Sequence, residues 1–144
     1  MIVVIQRVIN ASVKVDDKVV SSINNGMLIL LGISNDDSKE DIIKMTNKIS
    51  KLRIFNDENN IMNKNVNEVN GEVLVVSQFT LYGNVRKGNR PSYINAAKPD
   101  IAKSIYNLFI KQLDSLINNK VQTGIFGAYM LVDIVNDGPV TLIV

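Results

Sequence analysis

Two uninterrupted apolar runs constrain the fold of this chain more than any other feature of its sequence. Residues 27–33 read MLILLGI directly after the turn signal Asn25-Gly26, and residues 72–77 read EVLVVS. Short runs without polar alternation are typical of strands that are buried on both faces of a sheet. Neither run approaches the roughly 20 residues that a membrane span needs. The chain of 144 residues is long enough to bury such a sheet in a single domain, which we expect to cover residues 1–144.

Further strands and two helices are predicted around these runs. Ser38 is expected to cap a helix that runs to about Leu52, with Asp41 as a weak capping-box partner. Pro99 suits the first turn of a second helix that reaches about Ile117. Its inner side is expected to carry the apolar residues Ile101, Ile105, Leu108, Phe109 and Leu116. Strands are predicted at residues 2–9, 11–15, 18–23, about 120–124, 129–135 and 140–144, with a hairpin turn at Asp16-Asp17 and a short strand near Ile61. This pattern indicates a mixed α/β fold with mostly antiparallel β-sheets and two main helices.

The composition excludes several kinds of chemistry, because the chain has no histidine and no cysteine. Nucleophile systems that pair Ser or Cys with His are therefore impossible, and the usual zinc and copper ligands are missing. We expect no cofactor and no metal, so any acid–base chemistry must use carboxylates, Lys, Tyr, backbone donors or the substrate itself. The net charge is only +2, so nucleic-acid binding would need a local basic patch. The first residues carry no basic leader, and no disulfide framework points to secretion, so a cytoplasmic location without membrane attachment is expected.

Two segments lie where the chain leaves a predicted strand. Ser77-Gln78-Phe79-Thr80-Leu81 could expose backbone N–H groups that stabilise a developing oxyanion. Taken alone, however, its hydroxyl groups are more typical of turn hydrogen bonds. Residues 136–141 read NDGPVT and look like an ordinary hairpin loop between two apolar runs. The Gly138-Pro139 bond could also be cis, and the segment would then form a rigid backbone wedge.

Two further segments could contact a nucleic acid. Arg86, Lys87 and Arg90 lie in a loop with Gly and Pro and could bind phosphates, although a solvated surface loop is the more common outcome. In residues 123–130, TGIFGAYM, two glycines flank Phe126 and allow close backbone approach and base stacking. A core position for this phenylalanine is the simpler interpretation.

In this order, these segments resemble the D-aminoacyl-tRNA deacylase family. The similarity covers essentially the whole chain. Each matching piece alone is weak evidence for the family, but all of them in the correct order are very unlikely to occur by chance. The matching pieces are residues 1–8 (MIVVIQRV), 11–13 (ASV), 52–55 (LRIF), 75–81 (VVSQFTL), 86–92 (RKGNRPS), 124–130 (GIFGAYM) and 136–141 (NDGPVT). One position departs from the family pattern, because many members carry Asp where this chain has Tyr129.

The resemblance implies a homodimer with a barrel-like α/β fold and an active site at the dimer interface. Ser77, Gln78, Phe79 and Thr80 match the pocket floor, where backbone groups do much of the catalytic work. Thr80 matches a residue once proposed as a nucleophile, whereas the better-supported view gives the 2′-OH of the terminal ribose the main part in hydrolysis. The implied substrate is D-aminoacyl-tRNA, and glycine mischarged on tRNA is expected to react as well, which makes the function translation quality control.

The resemblance also implies how L-aminoacyl-tRNA is rejected. Gly138-Pro139, with a cis bond, matches an element that enters the pocket of the partner subunit and leaves no room for an L side chain. Arg7 matches the arginine that holds this element in place. Phe126 matches an aromatic residue near the terminal adenosine, and Met130 lines the same region.

Two other functions compete with this interpretation. The first is a nucleic-acid-binding module without hydrolase activity, although the chain ends at Val144, just past the last motif, and we expect no DNA-binding tail. The second is a general esterase that uses Thr80 with a Lys or Tyr base.

Overall fold

A computed structural model describes all 144 residues and has the predicted mixed α/β architecture with two helices. The strands are β1 (Ile2–Val15), β2 (Lys18–Ile23), β3 (Gly26–Gly32), β4 (Phe55–Asn56), β5 (Met62–Lys64), β6 (Glu72–Ser77), β7 (Gln122–Thr123) and β8 (Leu131–Ile143). The helices are α1 (Lys39–Ser50) and α2 (Pro99–Asp114), and a 3-10 turn covers Phe79–Tyr82. No helix combines the length and the apolar character that crossing a membrane requires.

The main sheet is organised around the long strand β1. Its residues Ile2–Val8 pair with β3, its residues Ala11–Val15 pair with β2, and β8 runs antiparallel along its other edge. The three partners of β1 are antiparallel, whereas β3 and β6 pair in parallel, as do β6 and β7. Strand β2 also lies against β6 and β7, so the sheet curls into the expected barrel-like shape.

The separate strands predicted at 2–9 and 11–15 are wrong, because β1 continues through the polar residue Asn10. The register with β8 shifts on both sides of Val8, and Asn10 still pairs with Val135. A polar residue at an exposed sheet position looks like a strand boundary in the sequence. Here the backbone of β8 supplies hydrogen-bond partners that local sequence does not reveal.

The hairpin-loop interpretation of residues 136–141 is also wrong, since the predicted strands 129–135 and 140–144 join into β8. The Asn136 side-chain amide donates to the Arg7 carbonyl at 3.1 Å and to the Val140 carbonyl at 3.2 Å. These bonds bridge the irregular stretch opposite Arg7, so the strand is not interrupted. The peptide bond between Gly138 and Pro139 is cis.

Both apolar runs of the sequence are buried on two faces, as predicted. Met27, Ile29, Leu31, Val73 and Val75 face α1 and α2 in the larger core cluster. The alternate residues of the same strands, Leu28, Leu74 and Val76, belong to a second cluster with β1 and Ile23. The sheet therefore separates a large core under the helices from a small core inside the barrel.

The two helices follow the predicted starts and differ at their ends and faces. Ser38 caps α1, and both hydrogen bonds of the capping box with Asp41 are present. In α2 the buried residues are Tyr106, Phe109 and Leu113, whereas Ile101 and Leu108 are exposed. The predicted inner face of α2 is therefore wrong for those two residues. The buried face of the helix is centred on Tyr106, Phe109 and Leu113 instead. The sequence pattern counted only apolar residues and so did not include Tyr106.

Candidate active site

A cavity of about 470 Å³ lies between the end of β6, the start of α2 and the segment around Phe126. Ser77, Gln78 and Phe79 form one part of its lining, and Phe126 with Gly127 forms another. Most of the remaining lining is apolar, and it contains no carboxylate. The full lining is Leu31, Ile33, Ser77, Gln78, Phe79, Tyr93, Ile94, Ala96, Ala97, Lys98, Pro99, Ala102, Phe126 and Gly127.

The segment after β6 turns sharply into the 3-10 turn. The Gln78 N–H donates to the Leu31 carbonyl at 2.8 Å and fixes this turn on β3. A Cβ atom at Gly32 would lie 3.0 Å from the Leu81 Cβ and 3.2 Å from the Gln78 carbonyl, so glycine permits this approach. The N–H groups of Phe79 and Thr80 open the 3-10 turn, where the first donors have no partner within the turn. Of these two residues, Phe79 lines the cavity.

Thr80 itself does not line the cavity. Its side chain is exposed, and its hydroxyl accepts a hydrogen bond from the Gln78 amide. No carboxylate, lysine or tyrosine forms a hydrogen bond to that hydroxyl. The arrangement offers no base that would activate Thr80 as a nucleophile.

Aromatic rings border the cavity on two sides. Phe79 and Tyr93 meet edge to face, with ring centroids 5.1 Å apart. Phe126 packs against Tyr106, with ring centroids 5.5 Å apart. Tyr106 is buried, and its hydroxyl donates to the Val75 carbonyl at 2.8 Å. Burial raises the pKa of Tyr106, so this phenol stays protonated and serves as a fixed donor.

Arg7 lies next to Asp137 and Gly138. Its guanidinium is buried and donates to the Ile54 carbonyl at 2.8 Å and to the Asn56 Oδ1 at 3.1 Å. Its Nε lies 2.9 Å from the Asp137 Oδ2, although the N–H does not point along that line and the contact is an ion pair without a well-formed hydrogen bond. The structure therefore brings together Arg7 and the residues beside Gly138.

Gly138 and Pro139 do not line the cavity of their own chain. Arg7 is level with Met27 and Val73 across the sheet, whereas Ser77 is level with Leu31. Four residues of strand separate these levels, which is about 13 Å. Strands β1 and β3 also lie between β8 and β6. Within this chain the two signature segments therefore lie apart.

The remaining candidate residues lie outside the cavity. Met130 packs against the small core cluster and lies beside Gly124. Arg86, Lys87 and Arg90 are exposed in a loop that is closed by backbone hydrogen bonds between Asn84 and Ser92. Tyr93, which follows this loop directly in the chain, lines the cavity.

Sequence reasoning missed Tyr93 and Lys98 as lining residues. The signal that could have found them is their position, between the basic loop and the proline that starts α2. Lys98 is the only residue with a full charge in the lining, and its N–H donates to the Asn35 Oδ1 at 3.3 Å.

The fold and the cavity define a small barrel-like α/β protein with a largely apolar pocket at the end of β6. The family model of D-Tyr-tRNA(Tyr) deacylases matches residues 4–144. A D-aminoacyl-tRNA deacylase of Flavobacterium psychrophilum is 56% identical over 100% of this chain and 96% of its own length. A D-aminoacyl-tRNA deacylase of Thermosipho africanus is 57% identical over 97% of this chain and 93% of its own length. The chain belongs to the D-Tyr-tRNA(Tyr) deacylase family, which confirms the family and enzyme class expected from the sequence.

Solved structures support the same fold. A c-Myc DNA unwinding element binding protein superposes with a TM-score of 0.95 at 42% identity, covering 100% of this chain and 97% of that one. A probable eukaryotic D-amino acid tRNA deacylase superposes with a TM-score of 0.83 at 18% identity, covering 99% of this chain and 97% of that one. The second likeness concerns the fold alone.

Proposed function

We propose that this protein hydrolyses the ester bond of D-aminoacyl-tRNA and spares the L form. Water adds to the ester carbonyl, the bond to the ribose oxygen breaks, and that oxygen leaves with a proton as the free tRNA end. The observation that carries the proposal is the cavity floored by Ser77, Gln78 and Phe79 in a chain of this family.

The chemistry of the lining supports catalysis assisted by the substrate. The cavity contains no carboxylate, and the chain has no histidine or cysteine that could act as a base. In this proposal the proton on the attacking water passes through groups of the RNA, with the 2′-OH of the terminal ribose nearest to the ester, and not through Lys98 or Tyr93 of the lining. The N–H groups of Phe79 and Thr80 stabilise the negative charge that develops on the carbonyl oxygen. An aminoacyl ester is intrinsically labile, so positioning and charge stabilisation suffice.

Chiral selection in this proposal requires a second copy of the chain. Gly138 and Pro139 are exposed and lie away from the cavity of their own chain. In a homodimer they enter the partner's cavity and occupy the space that an L side chain would need. Arg7 supports this element through the Asp137 ion pair. Glycine has no side chain to exclude, so mischarged glycyl-tRNA is accepted as well.

The exposed surface of β8 supports such a dimer. This strand pairs with β1 on one edge only, and its other edge is free. Apolar residues along it are exposed, including Leu131, Ile134, Val135, Leu142 and Ile143. A long apolar edge strand without a partner is a liability in a monomer and is typical of an interface.

RNA binding completes the proposal. The exposed loop with Arg86, Lys87 and Arg90 directly precedes the lining residue Tyr93 and contacts the phosphates of the tRNA stem. Phe126 offers its ring to the terminal adenosine, and Met130 supports the segment behind it. Tyr129, one residue before Met130, is 86% exposed.

The deciding experiment compares D-Tyr-tRNA, L-Tyr-tRNA and a simple aryl ester with the purified protein. We expect rapid hydrolysis of the first alone. Comparable rates on the D and L forms would contradict the chiral selection, and hydrolysis of the aryl ester alone would indicate a general esterase. Binding of tRNA without any hydrolysis would indicate the nucleic-acid-binding alternative, which the likeness to the DNA unwinding element binding protein makes worth testing.

A further inference from the structure

A second cleft, of about 270 Å³, lies on the side of α2 that faces β7. Two lysines, Lys111 and Lys120, stand on its opposite walls. An amide from Asn107 and a hydroxyl from Thr123 add further hydrogen-bonding groups. The cleft is therefore polar and basic, in contrast to the largely apolar active-site cavity.

Both lysines are exposed and carry charges that the chain itself does not neutralise. The ion pairs of the structure involve the N-terminal amine, Arg7, Lys14 and Lys64, and neither Lys111 nor Lys120 takes part. The cleft contains one carboxylate, from Asp114. One oxygen of that carboxylate already accepts the Val121 N–H at 2.8 Å. The cleft therefore has two lysine cations and one carboxylate, so its net charge is positive and favours an anionic ligand.

The cleft continues the active-site cavity along one face of α2. Pro99 and Ala102 line the cavity, and Tyr106, Ile110 and Asp114 line the cleft, so these residues follow one helical stripe. On the opposite wall, Thr123 lines the cleft and Phe126 lines the cavity. The Tyr106 and Phe126 rings, 5.5 Å apart, form the boundary between the two spaces. The cavity and the cleft thus follow each other along α2, separated by this ring pair, and we call this surface between α2 and residues 120–127 the α2 groove.

The length of the groove suits a short strand of RNA. From Pro99 to Asp114 the helix rises about 22 Å. Successive phosphates of one nucleic-acid strand in a helix are about 3.4 Å apart along its axis, so the groove holds several nucleotides. A polyanion whose end is held in the cavity therefore reaches the lysines with its backbone.

We propose that this groove binds the single-stranded 3′ end of the RNA, with Lys111 and Lys120 paired to a backbone phosphate a few nucleotides before the reacting ribose. The proposal rests on the proposed function for the identity of the ligand. The 3′ strand then binds in the α2 groove, and the tRNA stem contacts the loop with Arg86. The lysines act as positioning residues, since they touch the RNA backbone far from the ester.

The test measures binding of uncharged tRNA to the full-length protein by fluorescence anisotropy over a range of KCl concentrations. The variant is the double substitution Lys111→Ala, Lys120→Ala. We expect its affinity to fall by on the order of tenfold near 0.1 M salt, and the slope of log K against log salt to decrease by about 0.7 for the one lost single-strand phosphate contact. In deacylation of D-Tyr-tRNA, KM rises and kcat stays unchanged.

Three comparisons make the test specific. Lys44 and Lys48 line a separate cleft on α1, so Lys44→Ala, Lys48→Ala removes the same charge and should leave the slope as in the wild type. Lys111→Arg, Lys120→Arg should retain the wild-type affinity. A tRNA that lacks its single-stranded 3′ nucleotides should bind the wild type and the Lys111→Ala, Lys120→Ala variant equally.

The outcomes separate this inference from the proposed function. Equal effects of the two alanine pairs, or a defect that persists with the shortened tRNA, would overturn the groove assignment even if D-Tyr-tRNA is hydrolysed. Conversely, a wild type without deacylase activity would refute the proposed function, while the binding data would still decide whether the groove takes the 3′ strand.

Discussion

Gly138 occupies a backbone conformation that residues with side chains rarely adopt, with φ at +120°. A Cβ atom there would lie 2.8 Å from the Val140 Cγ2, 2.9 Å from the Val140 N and 3.2 Å from the Arg7 Nη2. The position thus combines an unusual φ with close neighbours on two sides. These contacts tie the shape of the 136–139 segment to the buried arginine beneath it.

We therefore expect Gly138→Ala to lower the free energy of unfolding by about 1–3 kcal/mol. The D-to-L rate ratio should fall as well, because the substitution pushes the segment off Arg7. Urea denaturation and paired deacylation assays measure the two effects. Gly88→Ala is the matched control, since Gly88 also has positive φ, +69°, but no atom within 4 Å of its Cβ position. An equal effect of the two substitutions on the D-to-L ratio would contradict this explanation.

At Thr80 we expect the backbone N–H, and not the side-chain hydroxyl, to take part in catalysis. Thr80 is not among the residues that line the cavity, and its hydroxyl accepts a hydrogen bond from the Gln78 amide. We expect Thr80→Val to retain deacylation of D-Tyr-tRNA within about tenfold of the wild type, because losing one neutral hydrogen bond costs only about 0.5–1.5 kcal/mol. Single-turnover kinetics measure the chemical step. A loss of several orders of magnitude in a protein with unchanged circular dichroism would instead show a nucleophilic hydroxyl.

Among the elements, helix α1 begins with a capping box formed by Ser38 and Asp41. The Ser38 hydroxyl donates to the Asp41 Oδ2 at 2.6 Å, and the Ser38 N–H donates to the same oxygen at 2.9 Å. In return the Asp41 N–H donates to the Ser38 Oγ at 3.2 Å. The Ser38 hydrogen bonds hold the pKa of Asp41 below its usual value of 3.8.

Ser38→Ala is expected to lower the free energy of unfolding by about 1 kcal/mol at pH 7. A carboxyl group with a depressed folded pKa stabilises the protein above its unfolded pKa, and this contribution is lost as the pH falls through the folded value. The difference between wild type and Ser38→Ala should therefore shrink between pH 5 and pH 3. Urea unfolding at several pH values measures it, and Asp41→Asn should abolish the pH dependence of that difference. A difference that stays constant down to pH 3 would show that the carboxylate does not contribute.

At the scale of the whole molecule, the two signature segments lie on different strands and are level with opposite ends of β3. Ser77 is level with Leu31, and Arg7, beneath Gly138, is level with Met27. A second chain is the direct way to unite them, and the free apolar edge of β8 offers the surface for it. The proposed closed two-fold dimer would contain two identical pockets, each built from both chains.

Complementation tests this arrangement. Ser77→Phe should block the cavity floor, and Gly138→Ala should impair the segment that enters the partner, so each variant alone should be weakly active. Mixing them with subunit exchange should restore about a quarter of the wild-type pockets, because each mixed dimer keeps one intact pair of segments. Light scattering confirms that both variants remain dimeric. If exchange is demonstrated and no activity returns, each pocket is built within one chain.

The sequence by itself determined the local features of this protein. Continuous apolar residues identify β3 and β6 as doubly buried strands, and the pattern at Ser38 and Asp41 locates the start of α1. The order of the motifs identified the family and the cavity residues Ser77, Gln78, Phe79 and Phe126. These features follow from short-range periodicity, capping and motif order, which a single chain displays directly.

Only the tertiary structure decided where distant segments meet. The continuity of β1 and β8 depends on backbone pairing between residues that are more than a hundred positions apart, and Asn136 bridges the irregular stretch by reaching the Arg7 carbonyl. The same is true of the lining residues Tyr93 and Lys98, and of the cleft with Lys111 and Lys120 that lies next to the cavity along α2. Local propensity carries no record of such contacts, because a strand edge or a cavity wall is completed by whichever segment the fold places against it.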